Sequence, residues 1–249
     1  MVNPQAAAVP PPPQALSLGQ LLDRTFSTYR RNFTFFALIA LVVSLPDIVL
    51  AILGLSRLSP VIRILYAPFI LALLYLGASA VILRGQSQFG PVLRAAVGRF
   101  ANFAGIYAGY ILAVIALLIP PLGLWLIVRW APAACVLAAE PVKPRQAFGR
   151  SVQLVHGQWW HSFFVMATVL ILQLVVEAIL AFSVGLIVGL LPGIDAAMSL
   201  RLARVAGSVV GTFAVPLIPI GYTLLYVDLR VRREGFDLDQ LAKSAADAA

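Results

Sequence analysis

Three charged side chains lie within long apolar stretches of this sequence, at Asp47, Arg129 and Glu177. A charge at the centre of a membrane helix costs about 2.5–3.5 kcal/mol on insertion scales, so each one needs a partner or a task. Gln173 stands one helical turn before Glu177 and faces the same way. One interpretation is a buried site in which Glu177 or Asp47 holds Arg129 and a ligand or proton passes between them. The other, which is favoured, is a structural pair of Arg129 with Glu177, because both should lie near mid-depth on successive spans.

Residues typical of soluble catalytic sites and metal sites are scarce. The two histidines, His156 and His161, are five positions apart and therefore lie on different faces of a helix. No cluster of Asp, Glu or Cys accompanies them, and the single cysteine, Cys135, has no second cysteine to pair with. The sequence also lacks a phosphate-binding glycine loop, a nucleophile elbow and paired carboxylates. We therefore predict no catalytic residue, no bound metal and no cofactor.

The composition indicates which elements hold these residues. Hydrophobic residues make up 61% of the chain and charged residues only 11%, against about 25% charged in ordinary globular domains. Apolar segments of about 20 residues can cross a hydrocarbon core about 30 Å thick. The prediction is an all-α integral membrane bundle of six helices, with a tight hairpin at Pro120-Pro121 because two prolines break a helix. The expected spans are 33–55, 64–83, 103–119, 122–139, 163–190 and 205–227.

The distribution of basic residues predicts the orientation. The formal net charge is +8, and the basic residues are concentrated beside the apolar spans, which fits anionic lipid headgroups better than nucleic acid. Most Lys and Arg residues fall on the side that holds both chain ends, so the positive-inside rule predicts that both termini are cytoplasmic. The candidate contacts with lipid headgroups are Arg24, Arg30, Arg31, Arg94, Arg99, Arg145, Arg150, Arg230, Arg232 and Arg233.

A threefold internal repeat is predicted from the polar segments before the odd-numbered spans. Before the first span, Leu22, Phe26, Tyr29 and Phe33 fall on one face of a helix. Similar apolar faces precede the third and fifth spans. The simplest architecture is three units, each an amphipathic interfacial helix followed by a transmembrane hairpin.

The ends of the chain have a different composition. Residues 1–14 form a Pro/Ala tract that predicts a disordered cytoplasmic tail, with no cleavable signal peptide. Residues 15–242 form the membrane domain, and residues 243–249 a flexible tail. If the last helix continues past Gly235, Asp228 meets Arg232 and Arg233 meets Asp237, each four residues apart.

Three segments carry a family resemblance: LSLGQLLDRTFSTYRRNF near the start, VRWAPAACVLAAEPVKPRQAFGRSVQLVHGQWW in the middle and YVDLRVRREGFDLDQL at the end. Together they resemble the membrane domain named after glycerophosphoryl diester phosphodiesterase. The resemblance implies a six-span protein of the bacterial cytoplasmic membrane. In some members the domain is fused to a soluble catalytic barrel, which this chain lacks, so no catalytic residue is carried over. The family often has a glycine-rich turn after the residue matching Glu140, where this chain has PVKP.

The leading functional hypothesis is a non-enzymatic membrane protein whose basic interfacial helices touch anionic lipid or a protein partner of unknown identity. A homo-oligomer is compatible with this hypothesis. The runner-up is a small transporter or channel with a polar site around Arg129, Glu177 and Asp47. A membrane enzyme acting on lipid comes third, because its nucleophile and base would have to be grouped, and the histidines are scattered.

Overall fold

The computed structural model describes residues 16–190, 192 and 195–234, and every regular element in this part of the chain is a helix. The all-α class is thereby confirmed for the described residues. The tails predicted at 1–14 and 243–249, and the pairing of Arg233 with Asp237, lie outside them.

Within the described ranges the chain forms eleven α-helices and three short 3-10 turns. The α-helices are α1 (Leu18–Arg31), α2 (Phe33–Ile52), α3 (Ser59–Arg84), α4 (Phe89–Gly98), α5 (Phe100–Ile115), α6 (Pro120–Trp130), α7 (Ala133–Ala139), α8 (Pro144–Val155), α9 (Trp159–Gly189), α10 (Ala196–Gly211) and α11 (Leu217–Glu234). The turns are Ser56–Leu58, Ala116–Leu118 and Thr212–Ala214.

Six segments of the described chain are long and apolar enough to cross a membrane. They are Phe33–Leu50, Ser59–Arg84, Phe100–Leu118, Pro120–Ala139, Trp159–Gly189 and Val209–Glu234. This agrees with the predicted multi-pass membrane protein of six helices. The threefold repeat stays a prediction.

Proline positions decide where the helices are interrupted. Pro120 begins α6, where its missing amide proton removes no helical hydrogen bond. Pro132 separates α6 from α7, and Pro216 precedes α11, because the ring removes a backbone donor that a continuing helix would use. Pro46 and Pro68, by contrast, remain inside α2 and α3.

The core of the bundle is formed around α3, which packs against α2, α5, α7 and α11. Small residues allow the backbones to approach closely. A Cβ added at Gly77 of α3 would lie 2.5 Å from Cδ1 of Ile39, and one added at Gly221 of α11 would lie 2.7 Å from Cγ2 of Val169. These two glycines therefore set the spacing between α2 and α3 and between α9 and α11.

Three shorter helices, α1, α4 and α8, each precede a membrane-length segment. Helix α1 packs along α11. The Leu16 amide, just before α1, donates to the Asp228 carboxylate of α11 at 2.7 Å, and the Tyr29 hydroxyl of α1 donates to the carbonyl of Phe213, just before α11, at 2.7 Å. Helix α8 packs on α5, where an added Cβ at Gly109 would overlap the ring of Phe148. We call the end of the bundle where α3 and α11 terminate the basic end.

Candidate functional site

Asp47 is paired with Arg63 on the neighbouring helix α3. Its Oδ2 accepts hydrogen bonds from Arg63 Nε at 3.2 Å, Arg63 Nη2 at 2.5 Å and the Tyr66 hydroxyl at 2.9 Å. Arg63 and Tyr66 are three positions apart and so lie on one face of α3. The second carboxylate oxygen, Oδ1, is buried and has no hydrogen-bond partner among the described residues. Asp47 therefore keeps an unused acceptor inside the bundle.

Glu177 and Gln173 face the same way on α9, and Gln173 Nε2 donates to Glu177 Oε1 at 2.9 Å. Glu177 also lines a cavity of about 320 Å³ together with Asp47, Arg63 and Ser44. We call this space the acidic cavity. It lies among α2, α3, α9 and α10, and it brings together two of the charges that the sequence places inside apolar spans. Arg63 immediately precedes the predicted span 64–83, so the sequence analysis does not include it among the charges inside spans, and its part in the cavity was missed.

Arg129 lies elsewhere and has no carboxylate partner among the described residues. Its guanidinium carbon is 4.3 Å from the centre of the Trp125 ring, the geometry of a cation–π contact. Its carbonyl accepts a hydrogen bond from Ser151 of α8 at 2.7 Å. The favoured pairing of Arg129 with Glu177 is therefore wrong, and so is the alternative pairing with Asp47.

The error in the Arg129 pairing has a geometric cause. Helix α9 has 31 residues, so it is roughly 46 Å long at 1.5 Å per residue. Glu177 lies past the middle of this helix. Arg129 instead lies in the middle of the Pro120–Ala139 segment, beside α8. The positions of Arg129 and Glu177 in the sequence therefore do not imply that the two side chains lie at the same depth, because α9 is much longer than a single membrane crossing requires.

At the basic end, the buried carboxylate of Asp228 joins three elements. It accepts from the Leu16 amide at 2.7 Å and from Arg232 Nε at 2.8 Å, and it contacts Nε2 of His161 at 2.8 Å. Arg232 also donates to the Leu16 carbonyl at 2.9 Å. Because Asp228 is only 1% exposed, these contacts replace the water that an isolated carboxylate would need. They hold the start of the described chain and α9 against α11.

A second group of charges ties α8 to α11. Tyr226 donates to Glu140 Oε1 at 2.8 Å, and Arg150 Nε lies 3.7 Å from the same oxygen. Arg150 also forms an ion pair with Glu234, which Arg230 contacts at 3.1 Å. Glu140 and Glu234 therefore compensate the charges of Arg150 and Arg230, which are two of the predicted headgroup contacts.

The remaining headgroup candidates differ in whether their side chains have hydrogen-bond or ion-pair partners. Arg233 donates to the Gln153 carbonyl at 3.3 Å, and Arg232 is bound to Asp228. Five others are exposed, and within the described residues their side chains have no hydrogen-bond or ion-pair partner. These five are Arg24, Arg30, Arg31, Arg94 and Arg145.

A cleft of about 440 Å³ opens at the basic end, and we call it the basic cleft. Arg84 at the end of α3, Arg99 before α5 and Lys143 before α8 line it, together with Asn102. Gly85, with a φ of 62°, ends α3 in the left-handed conformation and so leaves Arg84 at the helix terminus. Arg84 and Lys143 are exposed and have no ion-pair partner in the described part of the chain. Only Arg99 was among the sequence-level candidates, because the three cations come from three separate segments.

Arg99 is fixed in this cleft by the end of α7. Its guanidinium donates to the carbonyl of Leu137 and, at 3.4 Å, to the carbonyl of Glu140, where the helix dipole favours a cation. Burial, followed by the nearby charge of Arg84, lowers the pKa of Arg99 from its ordinary value. Glu140 lines the cleft as well, but its carboxylate is hydrogen-bonded to Tyr226. The cleft thus holds three cations against one carboxylate.

Among the described residues there is no group of three His, Cys, Asp or Glu side chains that could hold a metal ion. No family model, curated protein or solved structure matches this chain. Its function is therefore inferred from the basic cleft and the acidic cavity.

Proposed function

We propose that this chain is a non-enzymatic membrane protein that binds anionic lipid headgroups at its basic end. The observation that supports the proposal is the basic cleft, where Arg84, Arg99 and Lys143 converge without a carboxylate bonded to any of them. Basic pockets between membrane helices on the cytoplasmic side are typical sites for such headgroups. The excess positive charge would be compensated by a phosphate.

The orientation and the setting belong to the same proposal. Both termini would lie in the cytoplasm of a bacterial cell, because the positive-inside rule places the basic end there. Helices α1, α4 and α8 would be the interfacial members of the three predicted repeats, with Arg24, Arg94 and Arg145 among the headgroups. The exposure of these three arginines supports this part of the proposal. The resemblance to the membrane domain named after glycerophosphoryl diester phosphodiesterase is retained as a proposal.

Lipid retention by the purified protein tests the headgroup site. Native mass spectrometry would compare phosphatidylglycerol with phosphatidylcholine on the wild type and on the double variant Arg84→Gln, Lys143→Gln. Each lost charge is expected to weaken phosphatidylglycerol binding about fivefold, since a basic residue near an anionic surface contributes about 1 kcal/mol. Arg99 is left in place because it also binds the end of α7.

The matched control is Arg57→Gln, which removes an exposed arginine from the opposite end of the bundle. It should leave the preference for phosphatidylglycerol unchanged. If the wild type retains both lipids equally, or if the double variant behaves like the control, the headgroup proposal is wrong.

The second candidate function is a small transporter or channel, and the acidic cavity favours it. Among the described side chains that line this cavity, Asp47 and Glu177 provide two carboxylates and Arg63 provides one guanidinium. Asp47 Oδ1 is a buried acceptor without a partner among the described residues. A cation or a donor group passing through would find oxygen atoms to bind.

Water access to the acidic cavity tests this second function. Ser44 lines the cavity, and Ser44→Cys in a Cys135→Ala background supplies one small thiol there. A transport route predicts that a membrane-impermeant thiol reagent labels this cysteine. The control, Ser79→Cys, places a thiol in the buried part of α3, away from the lining. Equal protection of both thiols would remove the support for a transport route.

A further inference from the structure

A second cavity, lined by aromatic rings, lies inside the bundle. Its volume is about 190 Å³, and we call it the tyrosine cavity. It is formed by residues of α3, α5, α6, α9 and α11 and the junction after α6. The lining residues that matter here are Tyr75, Tyr110, Tyr222, Ala113, Val114 and Met166.

The lining of the tyrosine cavity is mostly apolar, but the hydroxyls of Tyr75 and Tyr222 have no hydrogen-bond partner among the described residues. The Tyr110 hydroxyl donates to the Ala131 carbonyl at 2.9 Å and accepts from the Ala134 amide at 3.2 Å, so its hydrogen bonds are made. An apolar cavity of about 150 Å³ stays dry and accommodates a small hydrocarbon such as benzene. A space of this size with a mostly apolar wall can therefore accommodate hydrocarbon.

The tyrosine cavity lies deeper than the basic cleft along α3 and α5, two helices that line both spaces. Tyr75 precedes Arg84 by nine positions on α3, and Tyr110 follows Asn102 by eight positions on α5. At 1.5 Å per residue, the cavity is roughly 12–14 Å from the cleft along both helices. Half of a hydrocarbon core about 30 Å thick is of the same length. A chain that hangs from the cleft would reach this depth near the bilayer centre.

The tyrosine cavity also meets the outer surface of the bundle. Val114 belongs to its lining and is at the same time 58% exposed. In a membrane, that outer surface faces lipid. A hydrocarbon chain can therefore enter from the side, without passing through water.

We infer that the basic cleft and the tyrosine cavity are the two parts of one phospholipid site, the cleft for the phosphate and the cavity for an acyl chain. This inference rests on the headgroup proposal and extends it from a charged surface to a lipid with a chain of sufficient length. The ligand class is a phosphate-bearing lipid of the bilayer. A soluble phosphate ester would occupy only the cleft.

Chain length in the ligand is the first test. Binding to the wild type would be compared for phosphatidylglycerol with long acyl chains, phosphatidylglycerol with six-carbon chains, and glycerol 3-phosphate. The inference predicts that affinity falls from the first to the third. Equal binding of glycerol 3-phosphate and the long-chain lipid would overturn it and indicate a soluble phosphate ester as ligand.

Filling the tyrosine cavity is the second test. Ala113 lines the cavity and is 1% exposed, so Ala113→Phe places a ring in the space. The matched control is Leu112→Phe on the same helix, at a position that is 56% exposed and outside the lining. Ala113→Phe is expected to weaken long-chain binding about tenfold, the effect of losing roughly two buried methylene groups, and to leave short-chain binding unchanged. Partition of the lipid into detergent micelles lowers the apparent affinity of both variants equally, so it does not change the difference between them.

The outcomes separate the two proposals. If phosphatidylglycerol and phosphatidylcholine bind equally, the headgroup proposal fails and this inference fails with it. If the headgroup matters but long and short chains bind alike in the wild type, only the inference fails. The inference also fails, and the headgroup proposal stands, if Ala113→Phe is folded and binds the long-chain lipid as tightly as Leu112→Phe does. The chain-length comparison needs no variant, so it decides the matter even if Ala113→Phe does not fold.

Discussion

Arg63 reaches a single oxygen of Asp47 with two of its nitrogens, Nε at 3.2 Å and Nη2 at 2.5 Å. The Asp47 side chain is 13% exposed, whereas that of Arg63 is 62% exposed. The pair spans the Ser56–Leu58 turn and holds α2 and α3 in register at the end of the bundle opposite the basic end. It also contributes to the charge of the acidic cavity, because Arg63 compensates one of the two carboxylates among the described lining residues.

Removal of this pair should loosen the first hairpin. Asp47→Asn is expected to destabilise the protein more than Arg63→Gln, because Asp47 also accepts from Tyr66 at 2.9 Å. A double-mutant cycle should give a coupling free energy of about 0.2–1 kcal/mol, the range for a pair with one exposed partner. Cys135, which is buried and is the single cysteine, reports unfolding through its reaction with a thiol-specific dye.

Arg57→Gln is the control for this cycle, since Arg57 is exposed close to Arg63 in sequence and has no partner among the described residues. Its melting curve should match that of the wild type. Strictly additive effects of the two substitutions would contradict the coupling.

Asp228→Asn should separate α1 and α9 from α11. The substitution removes the charge that His161 and Arg232 contact, and a hydrogen bond to a charged group contributes about 1.5–3 kcal/mol. The dye reaction of Cys135 should therefore begin at a markedly lower temperature. Asp23→Asn is the control, because Asp23 is exposed on α1 and has no partner in the described part of the chain. Equal melting temperatures for the two variants would refute the structural role of Asp228.

Gly123→Ala should destabilise the hairpin between α5 and α6. A Cβ at this position would overlap backbone atoms of Leu117, which cannot rotate away as a side chain can. Overpacking of this kind costs about 1–3 kcal/mol. Gly149→Ala in α8 is the matched control, since a Cβ there meets nothing within 4 Å, and alanine favours a helix by about 1 kcal/mol. The Cys135 assay should show a lower melting temperature for the first variant only.

The proposed orientation predicts opposite labelling of two loops. In a Cys135→Ala background, Leu58→Cys lies in the turn between α2 and α3, and Ser87→Cys lies between α3 and α4; both positions are exposed. An impermeant thiol reagent added to intact cells should label the cysteine at 58 and should label the one at 87 only after permeabilisation. The reverse pattern would place the basic end outside the cytoplasm.

Hydropathy and proline positions predict much of this fold. Apolar segments of sufficient length indicate membrane crossings, and the prolines at 120 and 121 force a new helix to begin. The spacing of Gln173 and Glu177 likewise places both on one face, where they are hydrogen-bonded. Local spacing is informative here because the helix geometry is fixed.

The long-range pairings could not be predicted in the same way. Whether Asp47 meets Arg63 or Arg129 depends on the rotation and depth of three helices, which the residue order does not specify. The same holds for the basic cleft, where Arg84, Arg99 and Lys143 come from separate segments. A usable signal was present in the spacing of Arg63 and Tyr66, which puts two donors on one face of α3 close to the turn that follows Asp47.

The contact between Leu16 and Asp228 has a consequence for biosynthesis. The two residues are 212 positions apart, and ribosomes add about 5–20 residues per second, so the acceptor appears roughly 10–40 s after the donor. During this interval helix α1 lacks its native neighbour α11. Closure of the bundle at this contact thus has to wait until α11 is synthesised, and a chain that ends before Asp228 leaves α1 without it.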